Sequence, residues 1–363
     1  MSQGDEEEQV RKAQERYEDA FREYKTKLES LEADYKDLIH KLIDGSTEAS
    51  EAHDKAVADL TASHKAGLDA LYPRLMELRP LSGHPRDLPP TNRAAYSDRA
   101  AAMMSKLAML AYDRFDEHDS WTDIITQKLD HGDKTLVGTF NSGAPCDTQG
   151  YLCEHEKFAV LVFRGTTGDL DWKTNAKSST VKLANSMCEL DVHSGFLAAY
   201  QAAEPQILEL LARLPPKKSI YITGHSLGGA LSVIASACLP LADERLSDRL
   251  AAVYTFGAPR VAKPGFDKLV KSPHYRVANK NDIVPTLPPA ISTGYRHSGD
   301  VRFLSTTDSA PDRFNPIRGT FYNLFKSLGA KMVGKSFSGV TAHQISQYVL
   351  KLELISKARN DLL

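Results

Sequence analysis

Gly224, Ser226 and Gly228 form a Gly-x-Ser-x-Gly element between a β-rich run, Ser219 to Thr223, and a run of small apolar residues that starts at Ala230. Strand, tight turn, helix is the setting in which such a serine works as a nucleophile. The turn must hold the Ser226 hydroxyl toward a substrate, and the flanking chain passes too close for a Cβ at either glycine. The helix that begins there aims its N–H groups at the reacting centre, where negative charge develops. A serine hydroxyl needs a histidine base, and the base needs a carboxylate behind it. With this turn, the acid and then the histidine follow the serine in the chain. Asp282, in Asn281-Asp282-Ile283-Val284-Pro285 after a strand ending near Val277, is the candidate acid. Two histidines follow it, His297 and His343, and spacing alone leaves both open. The oxyanion needs two donors. The backbone N–H of Leu227 is one, and the loop Arg164-Gly165-Thr166 supplies the other through Thr166, by backbone or hydroxyl.

These groups need a frame, and from about Asp98 the pattern is α/β. Strands are expected at Thr135–Phe140, Phe158–Phe163, Ser219–Thr223, Ala251–Phe256 and His274–Val277, with helices at Ala100–Arg114, Phe196–Arg213, Gly228–Leu239 and Phe266–Lys271. Alternating strands and helices predict a mostly parallel sheet covered on both faces.

Residues 1–80 read differently. From Tyr17 through Phe21, Tyr24, Leu28, Leu31, Tyr35 and Leu38 to Leu42, apolar residues recur in alternating steps of 4 and 3. That is a heptad stripe. The segment Met1 to Ile43 carries 8 Lys/Arg against 12 Asp/Glu. Asp44-Gly45-Ser46-Thr47 marks a stop and a restart. A second periodic run follows from Val57 to Leu78, with His64 on its stripe. The simplest reading is a coiled-coil-like helical hairpin with arms of about 45–55 Å, whose stripe packs internally or drives self-association. Pro80, Gly83, Pro85, Pro89 and Pro90 then mark a linker over 81–97, before the α/β domain at 98–363.

Composition narrows the function classes. The formal charge of −2 argues against a general nucleic-acid binder. The acidic start has no apolar run behind it, and no uncharged apolar run reaches 18 residues, so neither a Sec-type signal nor a spanning helix is expected. The chain is read as cytoplasmic or as exported without a classical signal, reaching a membrane only from its surface. The four cysteines, Cys146, Cys153, Cys188 and Cys238, fit no zinc pattern. Free thiols are expected, with a bridge between Cys146 and Cys153, which flank a loop, as the alternative in an oxidising compartment.

Five blocks in order resemble the class 3 (fungal-type) triacylglycerol lipase family of the α/β-hydrolase superfamily. They are Val162-Phe163-Arg164-Gly165-Thr166, Val192-His193-Ser194-Gly195-Phe196, Gly224 to Gly229, Thr255-Phe256-Gly257-Ala258-Pro259-Arg260-Val261 and Asn281 to Pro285. The resemblance covers roughly Ala100 to Leu350 and leaves the hairpin out. It implies an α/β-hydrolase domain and a Ser226–Asp282–His343 triad, with Thr166 and Leu227 as oxyanion donors. Between the histidines it favours the late one, His343, with an aromatic residue following at Tyr348, and gives His193 a structural role. It implies no metal and no cofactor. The substrate it implies is a lipid or other carboxylic ester, with phospholipase A1 or lysophospholipase action at a membrane surface, or a lipase-fold interaction protein, as alternatives. The family's lid corresponds to Thr167–Leu190, where Leu170, Trp172, Val181, Leu183 and Met187 lie among many polar residues. An inserted run, Asn315 to Ser336, puts Phe321, Leu324, Phe325, Leu328 and Met332 on one helical face with Arg318, Lys326, Lys331 and Lys335 beside them. It reads as a helix that covers the sheet, roofs the acyl pocket or rests on an anionic membrane.

Overall fold

The computed structural model describes residues 95–112, 121–130, 134–165, 179–184, 189–280, 282–304 and 343–360. The helical hairpin, most of the linker, Thr166, most of the lid segment and the 315–336 run lie outside the described residues. The chain divides into two units at Leu81 and Ser82, and every described residue is in the second.

The second unit is built on a seven-stranded sheet. Its strands are β1 (Thr135–Asn141), β2 (Gln149–Glu154), β3 (Phe158–Phe163), β6 (Ser219–His225), β7 (Leu250–Phe256), β8 (His274–Asn279) and β9 (Asp300–Leu304), side by side in that order. From β3 to β9 the pairing is parallel, and β1 and β2 run antiparallel at one edge. A separate antiparallel pair, β4 (Thr180–Ala184) and β5 (Glu189–His193), is formed largely from the segment read as a lid.

Helices cover both faces, so the central strands are apolar throughout rather than alternating. All six residues of β3 and all seven of β7 are buried. Within β6 the two faces separate. Ile220 and Ile222 join the core under α3 (Ser194–Ala212) and α4 (Leu227–Ala242). Thr223 instead turns to α1 (Asp98–Leu110), where its hydroxyl lies 3.4 Å from the Met104 carbonyl. The C-terminal helix α6 (Ile345–Asn360) packs on α1, sealed by Leu107, Tyr348, Leu352 and Ile355 and by a Lys106–Glu353 ion pair of 2.6 Å. Two further helices, α2 (Trp121–Asp130) and the short α5 (Ala290–Thr293), complete the described elements of that type.

Several expectations need correction. The helix expected at Phe266–Lys271 is a single 3-10 turn, Phe266–Lys268, entered through Gly265 at φ 100°. Strands β2, β4, β5 and β9 were not anticipated. β2 shows why: Gly150, a residue depleted in strands, sits there because a Cβ would overlap both the Phe140 ring and the Val162 carbonyl. Cys146, Cys153 and Cys238, by contrast, are free thiols, the state expected from the sequence.

Candidate active site

β6 runs through His225 and α4 begins at Leu227, leaving Ser226 as the whole connection. Its φ of 56° is a strained value for a residue with a side chain. Two close approaches surround it. A Cβ at Gly224 would overlap the Gly228 carbonyl, and one at Gly228 would overlap the Phe163 carbonyl at the end of β3. The turn is pinned by the Ser226 N–H, which donates to the Phe256 carbonyl at 2.9 Å. The positive end of the α4 backbone dipole faces the Ser226 side chain.

Asp282 follows β8, and its side chain is fully buried. A buried carboxylate is tolerated only when its oxygens are satisfied. Oδ1 accepts the Val284 N–H at 2.9 Å. Oδ2 accepts the Tyr348 hydroxyl at 2.5 Å and meets His343 Nδ1 at 2.9 Å. The same Tyr348 oxygen accepts the Asn279 N–H at 3.0 Å, tying α6 to the end of β8. Lys351 adds a bond of 2.7 Å to Asn279 Oδ1.

His343 Nε2 lies 2.8 Å from Ser226 Oγ. Because Asp282 accepts, Nδ1 carries the proton, and Nε2 presents its lone pair to the serine hydroxyl. The sites read from sequence therefore separate clearly. Ser226, Asp282 and His343 come together, and Leu227 opens the adjacent helix. Thr166 lies outside the described residues, although its neighbour Gly165 is packed against the His225 carbonyl, where a Cβ would come within 2.7 Å.

His297 is elsewhere. Its Nε2–H donates to the Pro285 carbonyl at 2.7 Å. Burial, followed by Arg276 and Arg260, holds its imidazole well below the usual range. His193 caps α3, its Nδ1 accepting the Phe196 N–H at 3.4 Å while its ring stacks on Phe196. Sequence reasoning missed His225 and Tyr112, whose side chains meet beside the triad. His225 was visible inside the nucleophile motif, but nothing in the spacing marked Tyr112.

Residues 160–292 match the family model described as Lipase (class 3). A lipase of Rhizomucor miehei is 33% identical over 165 residues, 44% of this chain and 44% of that one. A protein of Oryza sativa subsp. indica named phospholipase A1-II 1 is 30% identical over 175 residues, 41% of this chain and 44% of that one. The chain thus spans under half the length of these curated relatives. Among solved structures, a Rhizomucor miehei lipase propeptide complex superposes with a TM-score of 0.53 at 23% identity, covering 69% of this chain and 82% of that one; this likeness concerns the fold. The second unit has the α/β-hydrolase fold, and residues 160–292, which hold most of β3, the nucleophile turn and Asp282, match the class 3 lipase family.

Proposed function

We propose that the protein is a serine carboxylic ester hydrolase acting on lipid acyl esters through an acyl-enzyme on Ser226. The observation that carries this reading is the continuous run from the buried Asp282 carboxylate through His343 to Ser226 Oγ, with steps of 2.9 and 2.8 Å. His343 takes the Ser226 proton while Asp282 holds the imidazole in its productive tautomer. Ser226 Oγ bonds to the acyl carbon, and the Leu227 N–H and Thr166 receive the oxyanion. Collapse expels the alcohol, which takes the proton from His343. Water then adds to the acyl carbon with His343 again as base, releasing the acid and restoring Ser226.

A second reading is phospholipase A1 or lysophospholipase action at a membrane surface, supported by the rice relative's name. It is also motivated by Ile283 and Ile291, which stay exposed to 40% and 78% within nine residues of Asp282. The hairpin of residues 1–80 is proposed to self-associate, as a unit separate from the hydrolase.

Hydrolysis of p-nitrophenyl esters from C2 to C16 by the full chain and by Ser226→Ala tests the reading. Wild type should cleave them, and the variant should lose about 10⁶ in kcat, the loss typical of a serine nucleophile. Monoacyl, diacyl and phospholipid substrates then separate the two readings. Failure of wild type on all of them, with no fluorophosphonate label on Ser226, would leave the fold as a scaffold for interactions.

A further inference from the structure

His225 precedes the nucleophile, yet its ring bonds nothing on its own strand. Its Nε2 lies 2.6 Å from the backbone carbonyl oxygen of His343, and its Nδ1 lies 2.8 Å from the Tyr112 hydroxyl. The proton positions follow from the partners. A carbonyl only accepts, so Nε2 must carry the hydrogen. Nδ1 is then a lone pair, and the Tyr112 O–H must donate to it. Tyr112 is braced in turn: Gly165 packs so closely against it that a Cβ there would overlap the Tyr112 oxygen. Two segments distant in the chain thus meet on one buried imidazole, the turn after α1 and the residue bearing the base, with the loop after β3 packed against Tyr112.

His343 lies just ahead of α6 and directly follows chain outside the described residues. Its side chain is aimed by Asp282, but aim also requires a fixed backbone. His225, one peptide bond from Ser226, supplies that. We propose that Tyr112 and His225 are positioning residues, and that the chain Tyr112 O–H to His225 Nδ1, His225 Nε2–H to the His343 carbonyl, sets the His343 imidazole against Ser226. This rests on the Ser226–Asp282–His343 reading above. Neither residue needs to touch the substrate.

Neutrality is part of the arrangement. Burial pushes the Tyr112 phenol up, so it remains a donor. Burial and then the charge of His343 hold His225 well below the usual range. The ring centroids of His225 and His343 are 4.6 Å apart, so a neutral His225 adds no like charge beside the imidazolium that forms during turnover.

The test compares full-length wild type, Tyr112→Phe, His225→Leu and His225→Gln on soluble p-nitrophenyl esters. kcat, KM and the urea midpoint are measured for each. Small misplacements of reacting groups cost up to about 10²-fold. kcat should fall about 10-fold in Tyr112→Phe and about 100-fold in His225→Leu, with KM within about twofold. His225→Gln, whose amide can reach the same carbonyl, should return to within about 10-fold of wild type. A kcat within twofold of wild type in Tyr112→Phe overturns the proposal, as does a His225→Gln no better than His225→Leu. If His225→Leu does not fold, Tyr112→Phe decides alone. If wild type neither cleaves esters nor takes a fluorophosphonate on Ser226, the triad reading falls and takes this one with it. If wild type is active and the variants match it, only the positioning role falls.

Discussion

Replacing Tyr348 by Phe removes one oxygen from the most tightly buried part of the site. That oxygen donates to Asp282 Oδ2 at 2.5 Å and accepts the Asn279 N–H at 3.0 Å. Burial, followed by the Asp282 charge, pushes the phenol well above its usual value, so it stays a donor across the working range. A hydrogen bond to a charged group contributes about 1.5–3 kcal/mol, and a buried N–H left without an acceptor costs about 1–3 kcal/mol. Phe keeps the ring and its edge contact with Phe256 at 6.2 Å, so no cavity adds to the sum. The expected loss of unfolding free energy is about 2.5–6 kcal/mol, a large fraction of a typical domain's stability. Both tryptophans, Trp121 and Trp172, lie in the second unit, so fluorescence during a urea titration reports that unit. With a slope of about 3 kcal/mol/M the midpoint should drop by roughly 1–2 M. kcat should fall with KM little changed, because Asp282 keeps Val284 and His343. The fall should stay well short of the ~10⁴ expected when the acid itself is neutralised. An unchanged midpoint together with an unchanged kcat would refute the reasoning.

Two further outcomes follow from packing and from buried imidazoles. Gly228→Ala forces a methyl onto the Phe163 carbonyl, so it should cost about 1–3 kcal/mol and depress ester hydrolysis; Gly294→Ala, at φ 77° with open space around it, should spare activity and serves as the control. His274, fully buried, is held down to about 3 by burial and then by Arg276, and His225 and His297 are also held well below the usual range, burial being the largest cause for each. These groups are neutral when folded and protonate near 6.5 when unfolded, so their stability is complete above that value and drains as pH falls below it, for His274 until about 3, at about 1.4 kcal/mol per pH unit for each. The urea midpoint should therefore decline steeply between pH 6.5 and 5, and His274→Gln should flatten that decline; a midpoint constant across this range would contradict it.

The legible parts of this site were those where one short segment carries the whole constraint. Gly224 to Gly229 encodes its own strand, strained turn and helix, so Ser226 and Leu227 could be named from local spacing. Asp282 was legible because it follows a strand and is trailed by Pro285. The histidine was not legible in the same way. His297 and His343 both follow the acid, and what separates them is tertiary. His297 is committed to the Pro285 carbonyl, while α6 carries His343 to Ser226 because Tyr348 is drawn into the gap between Asp282 and Asn279. The edge strand β2 was hidden for a related reason, since Gly150 is explained by the Phe140 ring and the Val162 carbonyl that press on it.

The same contrast explains why His225 went unread although it lies inside the most informative motif of the chain. The motif constrains the residues flanking Ser226 by backbone clearance, and the middle position before the serine is free of that constraint. Its identity is decided by what arrives from elsewhere. Here a phenol from the end of α1 and a carbonyl from the start of the C-terminal segment need, between them, one acceptor and one donor on opposite sides of a flat ring. A neutral imidazole supplies both in one side chain. Glutamine offers a donor and an acceptor from one terminal amide, and leucine offers neither. The order His, Gln, Leu at position 225 is thus a ranking of hydrogen-bonding geometry at nearly constant burial. Packing alone would rank them differently, since an apolar core favours Leu over Gln.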